Sequence, residues 1–125
     1  MTAGPQSRGA VQRLKKRSEF LRTARGKRAG RVAFSLQAID SDRPGPRVGF
    51  TVTNKTGNSP ERNRIRRRLR EAVRACAGAF KPQNDYVLVG RREALKTPFG
   101  ELVSELSTAI TRIHASQAES RRNER

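Results

Sequence analysis

Apolar residues recur along this chain with two different periods, and each change of period marks an element. Ile65, Leu69, Ala72, Val73, Cys76, Ala77 and Phe80 fall at i, i+4, i+7, i+8, i+11, i+12 and i+15, the spacing of one buried helix face. Phe99, Leu102, Val103, Leu106, Ile110 and Ile113 repeat that spacing after Thr97 and Pro98, which start a final helix. Between residues 32 and 53 the period drops to two. Val32, Phe34, Leu36 and Ala38 alternate with Ser35 and Gln37, and Val48, Phe50 and Val52 alternate with Gly49, Thr51 and Thr53. A connection dense in turn residues joins these two strands, so the simplest reading is an antiparallel hairpin. Its second face carries small and hydroxylated side chains, which suits a shallow groove. Residues 86–91 read as a third strand.

Local signals place the ends. Ser18 is an N-cap for a short first helix with Phe20, Leu21 and Ala24 on one side and Gly26 as its stop, followed by a basic connection over residues 27–30. The middle helix should start at about Pro60, with Gly57 and Asn58 in a tight turn, Ser59 as cap and Glu61 complementing the dipole. It should end at Cys76 or Ala77, before Gly78. The order α-β-β-α-β-α predicts an α+β two-layer sandwich, a small, mostly antiparallel sheet backed by helices. Residues 11–115 form the single domain; the aperiodic segments 1–10 and 116–125 are expected to be disordered tails.

Charge changes the picture at the middle helix. The chain carries a net charge of +17, from 22 arginines and six lysines against eleven acids. Seven of those arginines, at 62, 64, 66, 67, 68, 70 and 74, lie within thirteen residues opposed only by Glu61 and Glu71. A disordered basic tail has no reason to keep an apolar stripe, so this segment is folded on a core and offers guanidinium groups to a polyanion. Nucleic acid leads, because arginine suits bidentate phosphate contacts. Asn63, Arg67, Arg70 and Arg74 lie opposite Ile65 on the helical wheel, with Arg64 and Arg68 flanking one side and Arg66 the other. Lys55, Gly57 and Asn58 could add an ammonium and backbone N–H groups near phosphates. Phe20 has two readings, a core residue or a platform for an unpaired base.

Other chemistry is sparse. No apolar run approaches the roughly 18 residues of a spanning helix, and one cysteine permits no internal disulfide, so a cytoplasmic protein without a membrane partner is expected. Cys76 lies on the apolar stripe and reads as a small buried hydrophobe. The only histidine, His114, is assigned a surface or capping role. The acids are scattered singly, without the spacing of a metal-binding carboxylate motif, so a protein-built nuclease site is not expected.

The run Lys55-Thr-Gly-Asn-Ser-Pro-Glu-Arg62-Asn63-Arg64-Ile-Arg66-Arg67-Arg68-Leu-Arg70-Glu71 closely resembles the signature of the bacterial ribonuclease P protein subunit. Arg13-Leu-Lys-Lys-Arg-Ser-Glu-Phe20, Arg47-Val-Gly-Phe-Thr-Val and Asp85-Tyr-Val-Leu-Val-Gly-Arg91 resemble its flanking segments, in order, over about residues 13–113. The resemblance implies a fold like a ribosomal-protein domain, with a left-handed crossover through the arginine-rich helix. It implies removal of the 5′ leader from precursor tRNA, with catalysis by a large RNA subunit using Mg²⁺ and no protein homo-oligomer required. By position, Lys55, Asn58, Arg62, Asn63, Arg64, Arg66, Arg67, Arg68 and Arg70 should face RNA, and Phe20, Ser35, Gln37 and Thr51 should line the cleft for the leader. Asn54, Pro60 and Ala24 depart from the pattern, where a lysine, an aliphatic residue and a second aromatic are usual. The alternatives are a structural ribosomal RNA-binding protein without a processing role and, more distantly, a small DNA-binding protein.

Overall fold

A computed structural model describes the backbone of residues 11–123 and the side chains of residues 11–115. The elements in chain order are β1 (Gln12–Arg13), α1 (Arg17–Thr23), β2 (Lys27–Gly30), β3 (Phe34–Asp40), β4 (Arg47–Thr51), α2 (Ser59–Ala75), β5 (Asn84–Gly90) and α3 (Phe99–Asn123). Short 3-10 turns at Asn54–Thr56, Ala77–Ala79 and Arg92–Leu95 link them. The α+β class and the α-β-β-α-β-α frame predicted from periodicity are present, with two short strands added.

Strand order is β1-β4-β5-β3-β2, so the expected hairpin of β3 and β4 does not form. β5 lies between them, antiparallel to β3 and parallel to β4. The reason lies in the residues of β5. Tyr86, Val87 and Leu88 are all buried, and a strand apolar on both faces is covered best at the centre of a sheet. The sheet is therefore mixed rather than mostly antiparallel: β1 is also parallel to β4, and β2 pairs antiparallel with β3. The crossover through the basic helix is present and joins the adjacent parallel strands β4 and β5.

One sheet face carries the core. Phe34, Leu36 and Ala38 of β3, Val48 of β4, and Tyr86 and Leu88 of β5 pack with Ile65, Leu69, Ala72 and Val73 of α2 and Leu102, Leu106, Ala109, Ile110 and Ile113 of α3. These are the two apolar stripes read from sequence. Gly90 sits directly under α2, where an added Cβ would come within 2.8 Å of Ile65 Cγ2 and 3.2 Å of Leu69 Cδ1. Cys76 is buried, its Sγ directed at Val103 O over 3.5 Å, and burial pushes its thiol pKa up. His114 is half-buried rather than on the surface, with Nε2 2.7 Å from the Tyr86 hydroxyl. That hydroxyl also accepts the Lys81 N–H at 2.9 Å, and burial pushes its pKa up to about 12.

Several boundaries move. Lys16, not Ser18, is the N-cap of α1, because Glu19 then falls at the third helical position and its carboxylate accepts the Lys16 N–H at 3.2 Å. Residues 27–30 are a strand rather than a connection. α3 runs to Asn123, into the 116–125 segment expected as a tail; the expected N-terminal tail, residues 1–10, lies outside the described residues. Among the described residues no helix is long and apolar enough to cross a membrane.

Candidate nucleic-acid interface

The basic helix α2 is anchored before it is presented. Asn58, not Ser59, is its cap: the Asn58 side chain accepts the Glu61 N–H at 2.9 Å while the Glu61 carboxylate accepts the Asn58 N–H at 2.9 Å. Arg92 then forks onto Glu61 at 3.0 and 2.8 Å. The Arg92 contact first, and the Asn58 N–H second, hold the Glu61 carboxyl down at about 2 from its ordinary 4.5. A depressed carboxylate stabilises the fold above its unfolded pKa and loses that contribution as pH falls through the folded one. The cap is thus fully charged above about pH 4.5 and fades only toward pH 2.

The arginines divide by where their guanidinium groups go. Arg62 donates to Gly57 O at 2.7 Å and Ser59 Oγ at 3.0 Å, bracing the loop that enters the helix. Arg68 donates to Thr97 O, ties α2 to the start of α3, and keeps its Nε buried without a partner. Arg66 reaches Asn63 Oδ1 at 3.2 Å and Val52 O at 3.4 Å, and Arg74 pairs with Glu71 at 2.7 Å. Arg70 is exposed and lies over the Phe50 ring, 5.8 Å from its centroid. Arg64 and Arg67 are exposed and, among the described residues, have no ion-pair partner. Lys55 is exposed on the 3-10 turn before the helix. Lys55, Arg64, Arg67 and Arg70 therefore form the cationic surface least engaged with the protein itself.

The opposite sheet face gathers the other predicted residues. Register aligns Gly30, Ser35, Val89 and Thr51 in one row, and Arg28, Gln37, Val87 and Gly49 in the next. Ser35 and Gln37 are buried, and the Ser35 hydroxyl has no hydrogen-bond partner. Phe20 of α1 lies against Gly49, whose missing Cβ would stand 2.5 Å from Phe20 Cζ. Phe20 is half-buried, with its ring packed against the sheet at Gly49. Arg28 and Arg91 were not picked out from the sequence, yet both belong to this face. Arg28 pairs with Gln37, and an added Cβ at Gly30 would lie 3.8 Å from Arg91 Nη2. A four-residue strand is too short to show its alternation, so the signal for Arg28 was absent.

An ion network fixes α1 over the far end of this face. Arg47 donates to both oxygens of Asp85, at 2.9 and 2.8 Å, and to Glu19 at 2.7 Å; Arg22 adds a longer contact to Asp85 at 3.4 Å. Asp85, followed by Glu19, raises the Arg47 pKa, and Arg47 in turn lowers that of Glu19. Gly49→Ala tests how this end positions the ring. The added methyl should displace Phe20, cost about 1–3 kcal/mol by overpacking, and shift the Phe20 ring resonances in NMR; unchanged ring shifts would show that the ring does not rest on Gly49.

Among the described residues no group of three or more His, Cys, Asp and Glu side chains could hold a metal ion. The acids near α2 are engaged with arginines, so a protein-built Mg²⁺ site does not fit these residues.

Comparison with known proteins adds to this geometry. A family model described as Ribonuclease P matches residues 9–114. A ribonuclease P protein component of Brucella suis is 43% identical over 116 residues, spanning 85% of this chain and 82% of that protein. One of Gluconacetobacter diazotrophicus is 45% identical over 113 residues, spanning 87% and 97%. Among solved structures, the RNase P protein of Thermotoga maritima aligns with a TM-score of 0.71 at 26% identity, covering 82% of this chain and 97% of that one. The RNase P protein of Staphylococcus aureus, at 23% identity, shares the fold with a TM-score of 0.63.

Proposed function

The chain belongs to the ribonuclease P protein family, and on that premise we propose that it is the accessory subunit of a tRNA-processing ribonucleoprotein. It binds a catalytic RNA and the 5′ leader of precursor tRNA, and assists endonucleolytic removal of that leader in the cytoplasm. The carrying observation is the pairing of two surfaces: an exposed face of α2 bearing Arg64, Arg67 and Arg70, and the opposite sheet face, where register places Ser35, Gln37 and Thr51 near one another and Phe20 of α1 lies against Gly49. Guanidinium groups without internal carboxylate partners give up no ion pair when they meet phosphates. An aromatic ring beside small polar side chains suits an unpaired base.

In this reading the reaction itself belongs to the RNA, which supplies the phosphates that hold Mg²⁺. The protein concentrates positive charge where leader and catalytic RNA converge, and so lowers the repulsion that Mg²⁺ must otherwise screen. Arg62 and Arg68 contribute chiefly by fixing α2, while Lys55, Asn63, Arg66 and the exposed arginines meet RNA. The test is cleavage of precursor tRNA by the matching catalytic RNA at low Mg²⁺, with and without this chain. A rate increase of about tenfold or more, roughly 1.4 kcal/mol, is expected; equal rates would overturn the proposal.

A further inference from the structure

Arg92 lies outside the arginine-rich run, yet it reaches the start of the basic helix from another element. It opens the 3-10 turn Arg92–Leu95, directly after β5. Its backbone stands on a fixed base: the Arg91 N–H is donated to Ala33 O at 3.0 Å, the Ala94 N–H to Arg91 O at 3.0 Å, and Ala94 is fully buried. From there the guanidinium makes three contacts. Nη1 donates to Glu61 Oε1 at 3.0 Å and to Thr56 O at 3.2 Å, and Nη2 donates to Glu61 Oε2 at 2.8 Å.

These contacts converge on the segment that leads into α2. Glu61 Oε1 also accepts the Asn58 N–H at 2.9 Å. The backbone of Gly57 runs so close to the pair that a Cβ there would stand 2.6 Å from Glu61 Oε1 and 2.9 Å from Arg92 Nη1. Arg62 holds the same segment through Gly57 O and Ser59 Oγ. Residues 56–59 are thus gripped by two guanidinium groups, with exposed Lys55 immediately before them.

Folding stability does not account for this arrangement. The Arg92 side chain is 58% exposed and that of Glu61 31% exposed, and solvent-exposed ion pairs add little to stability. The pair has another consequence. Glu61 is the acid in the first turn of α2, and a bare carboxylate there would repel phosphates approaching that helix. The fork onto Arg92 cancels its charge where it stands.

We infer that Arg92 is a positioning residue for RNA binding: through Glu61 and Thr56 it sets the turn that presents Lys55 before α2, and it masks the Glu61 carboxylate from incoming phosphates. The inference rests on the reading that this chain binds RNA, and deepens it by giving a role to a residue that is not itself a phosphate contact. Arg92 spends its donors inside the protein. Its effect on RNA therefore passes through Glu61 and is largely lost once residue 61 is uncharged.

A double-mutant cycle separates this role from direct contact. The full chain and its R92Q, E61Q and E61Q/R92Q variants are titrated with the matching catalytic RNA over a range of salt. E61Q keeps an oxygen for the Asn58 N–H, so the cap of α2 survives. R92Q alone is expected to weaken binding about fivefold, whereas adding R92Q to E61Q should change it by less than about twofold. The log-log salt slope of E61Q should also stay the same when R92Q is added, because no phosphate contact is lost. Equal losses in both backgrounds, with the slope flattened by about 0.7 to 0.9, would mean that Arg92 holds a phosphate itself and would overturn the inference. An R92Q chain that binds as tightly as wild type overturns it as well and leaves the functional reading standing. A wild-type chain that binds no RNA overturns both. All four proteins should melt within about 2 °C of one another, as an exposed pair implies, so that titrations well below the melts read binding by folded protein.

Discussion

Asp85→Ala is expected to cost roughly 3–5 kcal/mol of folding stability, the usual range for breaking a buried ion pair from one side. The Asp85 side chain is fully buried and Arg47 is 11% exposed, so deletion leaves a guanidinium with little water to replace two hydrogen bonds. Glu19 remains to Arg47, which places the loss toward the lower end. Arg22 loses less, because its side chain is 48% exposed and solvent screens its share. Urea unfolding at neutral pH measures the cost; a loss under about 1 kcal/mol would show that water reaches this network freely. The double variant Arg47→Met/Asp85→Ala removes both charges and should recover part of the stability, as replacing a whole buried pair often does. Because the same network seats α1, Asp85→Ala should also loosen Phe20, and leader-dependent binding should fall with it.

The second large effect concerns RNA. Changing Arg64, Arg67 and Arg70 together to glutamine keeps helix propensity and, since all three are exposed, should leave the unfolding midpoint almost unchanged. Binding to catalytic RNA should fall on the order of a hundredfold, at roughly 1 kcal/mol per phosphate contact. The log-log salt slope should flatten by about two to three units. Fluorescence titrations at four salt concentrations read both quantities. Lower affinity with an unchanged slope would mean that these arginines act through the shape of the helix and not through phosphates. Arg62→Ala and Arg68→Ala should behave oppositely, lowering stability more than the salt slope, because their guanidinium groups are spent on Gly57, Ser59 and Thr97.

Much of this architecture was legible because the chain is locally consistent. The stripe from Ile65 to Phe80 and that from Leu102 to Ile113 pack where their periods placed them, whereas Phe99, in the first turn of α3, stays exposed, and the family signature was readable because its residues are contiguous. Pairing was not legible. β3 and β4 alternate as a hairpin would, and nothing within either strand says that β5 will separate them. Short elements were missed for a related reason, since two residues at Gln12–Arg13 and four at Lys27–Gly30 carry too little pattern to show a period. That Asn58 rather than Ser59 caps α2 was not legible either, because a cap is recognised by the angle of entry into the helix, which residue type alone does not state.

By itself, then, the sequence determined which of the longer segments are helices and strands, which helix face is buried, and how large a positive charge must find a partner; local periodicity and composition suffice for these. Only the tertiary structure decided which strands are neighbours, which arginines brace the fold and which stay free, and that Arg92 meets Glu61 at the start of α2. Most such facts depend on residues brought together across the fold, as with Arg68 and Thr97 or Arg47 and Asp85, and their contacts exist only once the sheet has chosen its order.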